Sequence, residues 1–225
     1  MKILAIDTSL GAASACLFDS AASDVLARET IWLERGHDQA IIPLIDRVVA
    51  QGGGRGSIER IAVTVGPGSF TGIRVGISAA RAIGFATGAP VVGVSSLAAF
   101  VAPILLDRGD GVAAAAIDAR HGRIYVVAFA GGAQIIPPRV AAPREAVRAM
   151  GSGPLRLVGS GATALAIEAW SMGVAAELVS DAKAPDIALV ARLGAAADPA
   201  SAPPRPLYLK APDVTPQASL AIPAA

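Results

Sequence analysis

Met1-Lys2-Ile3-Leu4-Ala5-Ile6-Asp7-Thr8-Ser9-Leu10-Gly11 opens the chain with an apolar run that ends in aspartate and meets a glycine turn. The signature returns later: Ala5-Ile6-Asp7, Gly11 and Phe18 are matched at one constant offset by Ala116-Ile117-Asp118, Gly122 and Phe129. Each copy reads as a strand ending in Asp, a turn at Gly and a second strand running back. A second echo sets Val63-Thr64-Val65-Gly66-Pro67-Gly68 against Leu157-Val158-Gly159-Ser160-Gly161, each a strand entering Gly-x-Gly ahead of a helical pattern. Internal repetition is read before any motif, because it says that one structural unit is used twice.

Outward from these anchors, the first half predicts strands near 2–7, 12–18 and 24–33, a helix near 37–51, a strand near 60–65, a helix near 71–87 and a strand near 91–94. A further helix follows, capped by Ser95 or Ser96. The second half predicts strands near 112–118, 123–130 and 133–140, helices near 143–150 and 161–171, strands near 155–159 and 176–180, and a helix near 186–197. Consecutive strands pair as antiparallel hairpins, whereas strand, helix, strand needs a parallel crossover, so each half is a mixed sheet flanked by helices. The expected class is α/β, with two tandem lobes at 1–106 and 107–206. A Pro-rich tail at 207–225 is either disordered or packed back on the first lobe. The doubled β-β-β-α-β-α order resembles the actin and sugar-kinase superfamily (ASKHA, RNase H-like) of two-lobed nucleotide-binding proteins, an analogy that carries fold and not function.

Composition removes several classes. The 225 residues are 53% hydrophobic and 16% charged, with mean hydropathy +0.56, and no charge occurs from Ala82 to Leu106. That run has the length of a membrane span, about 20 residues. It contains Gly84, Gly88, Pro90, Gly93 and Pro103, and Pro90 breaks any helix through its middle. It reads as buried core, the N-terminus lacks a signal-peptide pattern, and a soluble cytoplasmic protein is expected. The single cysteine, Cys16, excludes an internal disulfide and a cysteine-rich metal site. A net charge of +1 and 4% aromatics argue against a chain that holds nucleic acid alone.

The densest motif is Gly66-Pro67-Gly68-Ser69-Phe70-Thr71-Gly72-Ile73-Arg74, between a strand and a helix. Its N–H groups can bind an anion, with Ser69 or Thr71 as cap; equally, its glycines can serve a tight strand-to-helix turn. No Lys follows for a P-loop, and no Ser sits in a nucleophile elbow. Asp7 and Asp118 end strands where the superfamily's phosphate turns lie. The nucleotide- or anion-binding candidates are Asp7, Thr8, Ser9, Asp118, Gly159 and Gly161. Neither turn has the Asp-x-Gly of active kinases, so ATP hydrolysis is not expected. His37 and His121 form no metal pair, and no catalytic or metal-binding residue is assigned.

On the helix near 71–87, Gly72, Gly76, Ala80, Gly84 and Gly88 recur every four residues beside Ile73 and Ile77. Glycine inside a helix costs about 1 kcal/mol against alanine, so the ridge implies close approach by another element, from this chain or another subunit. The helix near 37–51 carries a wide apolar stripe including Ile41, Ile45 and Val48. With His37, these positions, Gly72, Ile73, Gly76, Ile77, Ala80 and Gly84 are the candidate partner interface, burial in the chain's own core being the other reading.

Met1 to Ser9, Glu34-Arg-Gly-His37-Asp-Gln39 leading into Ile42-Pro43-Leu44, Gly66 to Arg74, Gly93-Val-Ser-Ser-Leu97, Ile117-Asp-Ala-Arg120 and Pro206-Leu-Tyr-Leu-Lys210 together resemble the bacterial TsaB family, also called YeaZ. The resemblance spans almost the whole chain. It implies a non-catalytic subunit of the machinery that makes threonylcarbamoyladenosine (t6A) in tRNA. There a paralogue, TsaD, transfers the threonylcarbamoyl group from an adenylate supplied by a TsaC-type synthase. The ATPase TsaE assists. The implied partners are TsaD and TsaE, with the synthase and tRNA engaged indirectly, and the chain forms homodimers through the surface that engages TsaD. No cofactor is expected in this chain, ATP or ADP being left to the complex. The catalytic paralogue carries His-x-x-x-His where this chain has Ser95 and Ala99, or the positions within one residue of them, and neither Ser95 nor Ala99 can ligate metal in that mode. The alternatives are an independent small-molecule kinase or ATPase and an orphan peptidase.

Overall fold

The computed structural model describes residues 1–54, 58–107 and 109–210. β1 (Lys2–Asp7) lies at the centre of the first sheet and is buried from Ile3 onward, which is why it reads as a continuous apolar run. β2 (Ala12–Asp19) pairs with it antiparallel, Asp7 opposite Ser14, and β3 (Asp24–Trp32) extends the meander. The chain crosses through α1 (His37–Gln51) to β4 (Arg60–Gly66), parallel to β1, then through α2 (Phe70–Thr87) to β5 (Val91–Ser95) and α3 (Ser96–Leu106). The second half repeats the scheme as β6 (Val112–Asp118), β7 (Ile124–Ala130), β8 (Ala133–Ala141), α4 (Pro143–Met150), β9 (Leu155–Val158), α5 (Ala162–Ser171), β10 (Ala176–Ser180) and α6 (Ile187–Ala196). The sheet orders are β3-β2-β1-β4-β5 and β8-β7-β6-β9-β10, one order used twice. The expected elements occur, each end within a residue of its predicted place.

The division at residue 106 separates the strands of the two sheets but not their helices. Leu4, Ile6, Ile61 and Val63 face α1 and α2, while Ile3, Ala5, Ala62 and Val92 point the other way and pack on Ile187, Val190 and Ala191 of α6. Reciprocally, Leu97, Phe100, Val101 and Ile104 of α3 cover Ala113, Ala115 and Ile117 of the second sheet. The assignment of α3 to a first lobe and α6 to a second is therefore corrected. Each sheet has two apolar faces and only two helices of its own half, so the third helix of the other half closes it. Cys16 is buried in the α6 layer, and burial pushes its thiol up to about 12, which removes it as a nucleophile at neutral pH.

After α6 the chain runs back along the first lobe. Gly93 N donates to Ala202 O (2.9 Å) and Leu207 N to Val65 O (2.7 Å). Arg81 donates to Pro204 O (2.7 Å) and Arg74 to the Tyr208 hydroxyl (2.9 Å). Residues 207–210 of the expected tail thus lie against the first lobe, and 211–225 lie outside the described residues. Among the described residues no helix is long and apolar enough to cross a membrane.

The expected interface needs a larger correction. Ile41, Ile45, Val48, Gly72, Ile73, Gly76, Ile77, Ala80 and Gly84 are all buried within this chain, and of the expected set only His37 is even half-buried. The ridge is seated on the chain's own turn and strands. A Cβ on Gly72 would overlap the Thr8 carbonyl oxygen, one on Gly76 would stand 2.5 Å from Thr8 Oγ1, and one on Gly84 2.5 Å from Val91 Cγ2. The elements whose close approach the glycines imply are therefore β4, β5 and the turn after β1.

Gly72→Ala is accordingly expected to lower the unfolding free energy by about 1–3 kcal/mol through overpacking, although alanine is favoured by about 1 kcal/mol in an open helix interior. Urea denaturation measures this, and an unchanged or raised midpoint contradicts the seating.

Candidate functional site

The turn after β1 is where the sequence places its phosphate candidates, and α2 closes it. Asp7 is fully buried, and its Oδ1 accepts from Ser9 N (3.0 Å), Ser9 Oγ (2.7 Å) and Thr64 Oγ1 (2.5 Å). Ser9 Oγ lies 3.0 Å from Ser96 Oγ at the start of α3. Because the Ser9 hydroxyl proton is committed to Asp7, Ser96 is the donor in that pair. Thr8 Oγ1 donates to Gly72 O (2.7 Å), and Ser69 N donates to Ser9 O (2.7 Å). Ser69 also caps α2, accepting from Gly72 N at 3.3 Å. A Cβ on Gly68 would overlap the Ser9 carbonyl. The Gly66–Gly72 loop thus lies on the turn, and Asp7, Thr8 and Ser9, none more than 1% exposed, offer no surface to a phosphate. Those three positions are corrected from ligand contacts to an internal hydrogen-bond network.

The second repeat is built differently. Asp118 is exposed, and its Oδ1 accepts from Arg120 N (2.8 Å). Gly159 (φ +103) backs onto Ala116 O, and Gly161 onto the backbone of Ile117 and Asp118, with Gly161 N donating to Ala116 O (2.9 Å). These glycines let the start of α5 approach β6; they are a packing requirement and not an open ligand surface, which corrects both positions. Asp7 and Asp118 therefore do not form one site: one is sealed, the other stands on a rim.

That rim borders a cleft of about 610 Å³ between the lobes. It is lined by Glu34 and Arg35 before α1, by Ser69 and Phe70 at the start of α2, and by Asp118 and Arg120. Tyr208 and Lys210 close another side. His37 Nε2 lies 2.9 Å from Leu10 O and ties the start of α1 to the β1–β2 turn. Arg35, Arg120, Tyr208 and Lys210 were not picked out as ligand residues from the sequence, because they are brought together only by the segment that follows α6, here called the strap, and by the packing of the two lobes. Among the described residues no group of three or more His, Cys, Asp or Glu stands ready to hold a metal.

A second surface is the outer face of α1 and α2. Phe85 is 94% exposed and Ile42 47%, with Ser78, Ala82 and Ala86 also exposed on α2. The buried ridge lies on the opposite side of the same helix. Phe85 was legible as an exposed residue: it continues the i, i+4, i+7 line of Arg74, Ser78 and Arg81.

Doubled sheet order, exchanged third helices and an interlobe cleft define a two-lobed protein of the actin and sugar-kinase class. Comparison with known proteins narrows this. A family model described as "TsaD: tRNA N6-adenosine threonylcarbamoyltransferase" matches residues 31–167. The chain is 36% identical over 130 residues to the "tRNA threonylcarbamoyladenosine biosynthesis protein TsaB" of Haemophilus influenzae, covering 56% of this chain and 52% of that protein. The TsaB of Escherichia coli is also 36% identical, over 126 residues, 56% of this chain and 53% of that protein. The chain thus spans about half the length of these two relatives, whereas an uncharacterized protein of Mycobacterium tuberculosis matches at 30% over 96% of this chain and 95% of its own. Among solved structures, YeaZ from Pseudomonas aeruginosa superposes with a TM-score of 0.69 at 24% identity, covering 92% of this chain and 99% of that one, which shows a shared fold. The chain belongs to the TsaD family, and over about half their length it is similar to the TsaB proteins of H. influenzae and E. coli.

Burial raises the pKa of Asp7, against the lowering effect of its Thr64 and Ser9 bonds, and Oδ2 has no hydrogen-bond partner. A carboxyl held above its usual 3.8 binds its proton more tightly folded than unfolded, so its contribution to stability is greatest at acid pH and falls as pH rises from there through the raised value. Asp7→Asn is expected to melt at or above the parent's temperature at pH 7 and to lose this part of the pH slope. A large destabilisation at neutral pH, measured by thermal melting across pH 4–8, contradicts a closed, strained carboxyl.

Proposed function

We propose that the chain is a non-catalytic subunit required for t6A formation in tRNA, working in the cytoplasm by binding and activating a TsaD-type paralogue. The paralogue transfers threonylcarbamoyl from threonylcarbamoyl-adenylate to the adenosine next to the anticodon. The observation that carries the reading is Phe85, 94% exposed on the outer face of α2. Burying one such aromatic stabilises a contact by about 1.5–3 kcal/mol, and an aromatic anchor of this kind is what a protein interface needs at its centre. The small-residue ridge beneath serves this surface indirectly. It seats α2 against Thr8, Val91 and the Gly66–Gly72 loop, so the presented face is rigid and little conformational entropy is lost on docking.

Two helices from this chain and the equivalent pair from the partner would make a four-helix contact, and the same face would serve a homodimer when the partner is absent. The names of the H. influenzae and E. coli relatives support the pathway. The non-catalytic assignment is supported at the junction of β5 and α3, where Ser95 and Ala99, or the positions within one residue of them, answer to the paralogue's metal ligands, and Ala99 packs in the core with Ile187 and Val190. TsaE, the adenylate synthase and tRNA then meet this chain through the complex, and ATP or ADP is bound at that level.

Phe85→Glu is expected to abolish co-purification with the TsaD-type partner and to shift the free chain towards monomer. Its melting temperature should stay within a degree or two, since surface substitutions usually change stability by less than about 0.5 kcal/mol. Undiminished complex formation by size-exclusion chromatography with light scattering contradicts the surface.

A further inference from the structure

The second lobe carries its charge unevenly. From Asp118 to Arg148 five arginines stand against two carboxylates, Asp118 and Glu145, in a chain whose net charge is only +1. Strand pairing gathers them at one end of the sheet. Asp118 at the end of β6 lies opposite Ile124, and Ile124 opposite Ala141, just before α4 begins at Pro143. The β6–β7 turn with Arg120 and Arg123 therefore adjoins the first turn of α4 with Arg144, and Arg148 follows one turn along the same helix. Arg139 is opposite Val126 on the edge strand β8, so it shares the face on which Val126 packs with Ala146 and Val147 of α4. Asp107 and Asp110 precede β6 at its far end, and Arg156 pairs there with Asp107 and Glu177.

The needs of the fold do not account for these arginines. Arg120, Arg123, Arg144 and Arg148 are exposed. Arg144 sits at the start of α4, where the helix dipole disfavours a cation. Its ion pair with Glu168 is 3.7 Å long and leaves Glu168 Oε2 without a hydrogen bond, a surface contact that adds little stability. Arg139 Nε is buried with no hydrogen-bond partner. The turn nevertheless holds its arginines firmly. Arg120 (φ +61), His121 (+51) and Gly122 (+68) form a left-handed run, fixed by Arg120 N donating to Asp118 Oδ1 (2.8 Å), Ala119 N to Arg123 O (3.0 Å) and Arg123 N to Arg120 O (3.1 Å).

The kind of partner follows from what the surface lacks. Among the described residues, none of the exposed large apolar side chains stands on this turn or between 139 and 149, and a protein interface needs such anchors at its centre. No exposed aromatic stands there either, which removes base stacking. Charge and paired hydrogen bonds from guanidinium to phosphate remain, spread over a turn, a strand edge and a helix.

We propose that this end of the second lobe holds the phosphate backbone of a folded RNA, without reading its sequence. With a net charge of +1 the chain supplies part of the hold, and the complex the rest. Only the choice of tRNA as probe rests on the pathway proposed above. The surface is on the other lobe from Phe85, and binding is read on the free chain, so its failure is distinct from failure of the partner contact.

A labelled, unmodified tRNA transcript is titrated with the full chain by fluorescence anisotropy at about 0.05–0.2 M salt. A dissociation constant of about 100 μM or tighter is expected near 0.15 M, with a slope of log affinity against log salt of about −3. An unlabelled RNA duplex of unrelated sequence should compete within about threefold of the tRNA itself. Arg120→Gly, Arg123→Gln and Arg144→Gln should each weaken binding about three- to tenfold and flatten the slope by about one. Arg205→Gln, which removes the same charge from the strap, should change it by less than about twofold. Glycine favours the left-handed backbone at 120, so lost binding in that variant is not lost folding, and melting temperatures within a degree or two check the others. No binding at about 0.05 M salt, an equal loss in Arg205→Gln, or failure of the duplex to compete would overturn the proposal. Undiminished RNA binding by the three arginine variants would do so too, and their loss of the TsaD-type partner instead would make this a protein contact.

Discussion

The Thr8 and Ser9 carbonyl oxygens stand where Cβ atoms on Gly72 and Gly68 would have to be, and most of what distinguishes this chain follows from that contact. It presses the start of α2 onto the turn after β1, with Thr8 Oγ1 bonded to Gly72 O and Ser69 N bonded to Ser9 O. The turn that could have received a phosphate is thereby filled by the chain's own backbone. Asp7 is left inside with Thr64 and Ser9 as its neighbours, in a network that reaches Ser96 at the head of α3. One close approach thus closes a potential site and fixes a helix whose other face is presented outward.

The lobes are also locked to each other by exchange. α3 leaves the first sheet to cover the second, and α6 returns to cover the first. The Asp7 network therefore couples the first sheet, through Ser96, to a helix that belongs energetically to the second. The strap after α6 adds a further tie across β5, β4 and α2 and carries Tyr208 and Lys210 to the cleft. A two-lobed frame of this class, with its phosphate turn filled and its lobes interlaced, is suited to holding a surface in place.

Much of the fold was legible. The repeated Ala-Ile-Asp, glycine and phenylalanine gave two copies of one sheet order, because strand pairing follows from local alternation and connection length. The helix exchange was not legible, since a stripe of apolar residues on α6 says that it is covered and not by which sheet. The ridge from Gly72 to Gly84 correctly signalled close approach but was assigned to a partner, when Thr8 and Val91 of the same chain fill the space. Sequence spacing gives the face a residue stands on and is silent about what lies opposite. Phe85, on the other side of α2, carried the better surface signal. The cleft residues Arg35, Arg120, Tyr208 and Lys210 are distant in sequence, and only the tertiary arrangement gathers them.

The central claim is that this chain acts on a catalytic partner and does no transfer itself. Threonylcarbamoyl transfer to unmodified tRNA in a reconstituted system, with each subunit omitted in turn, tests it most directly. The account predicts no product from this chain without the TsaD-type partner, and loss of product from the remaining components when this chain alone is left out. Transfer by this chain in the absence of that partner, or undiminished transfer without this chain, would contradict it.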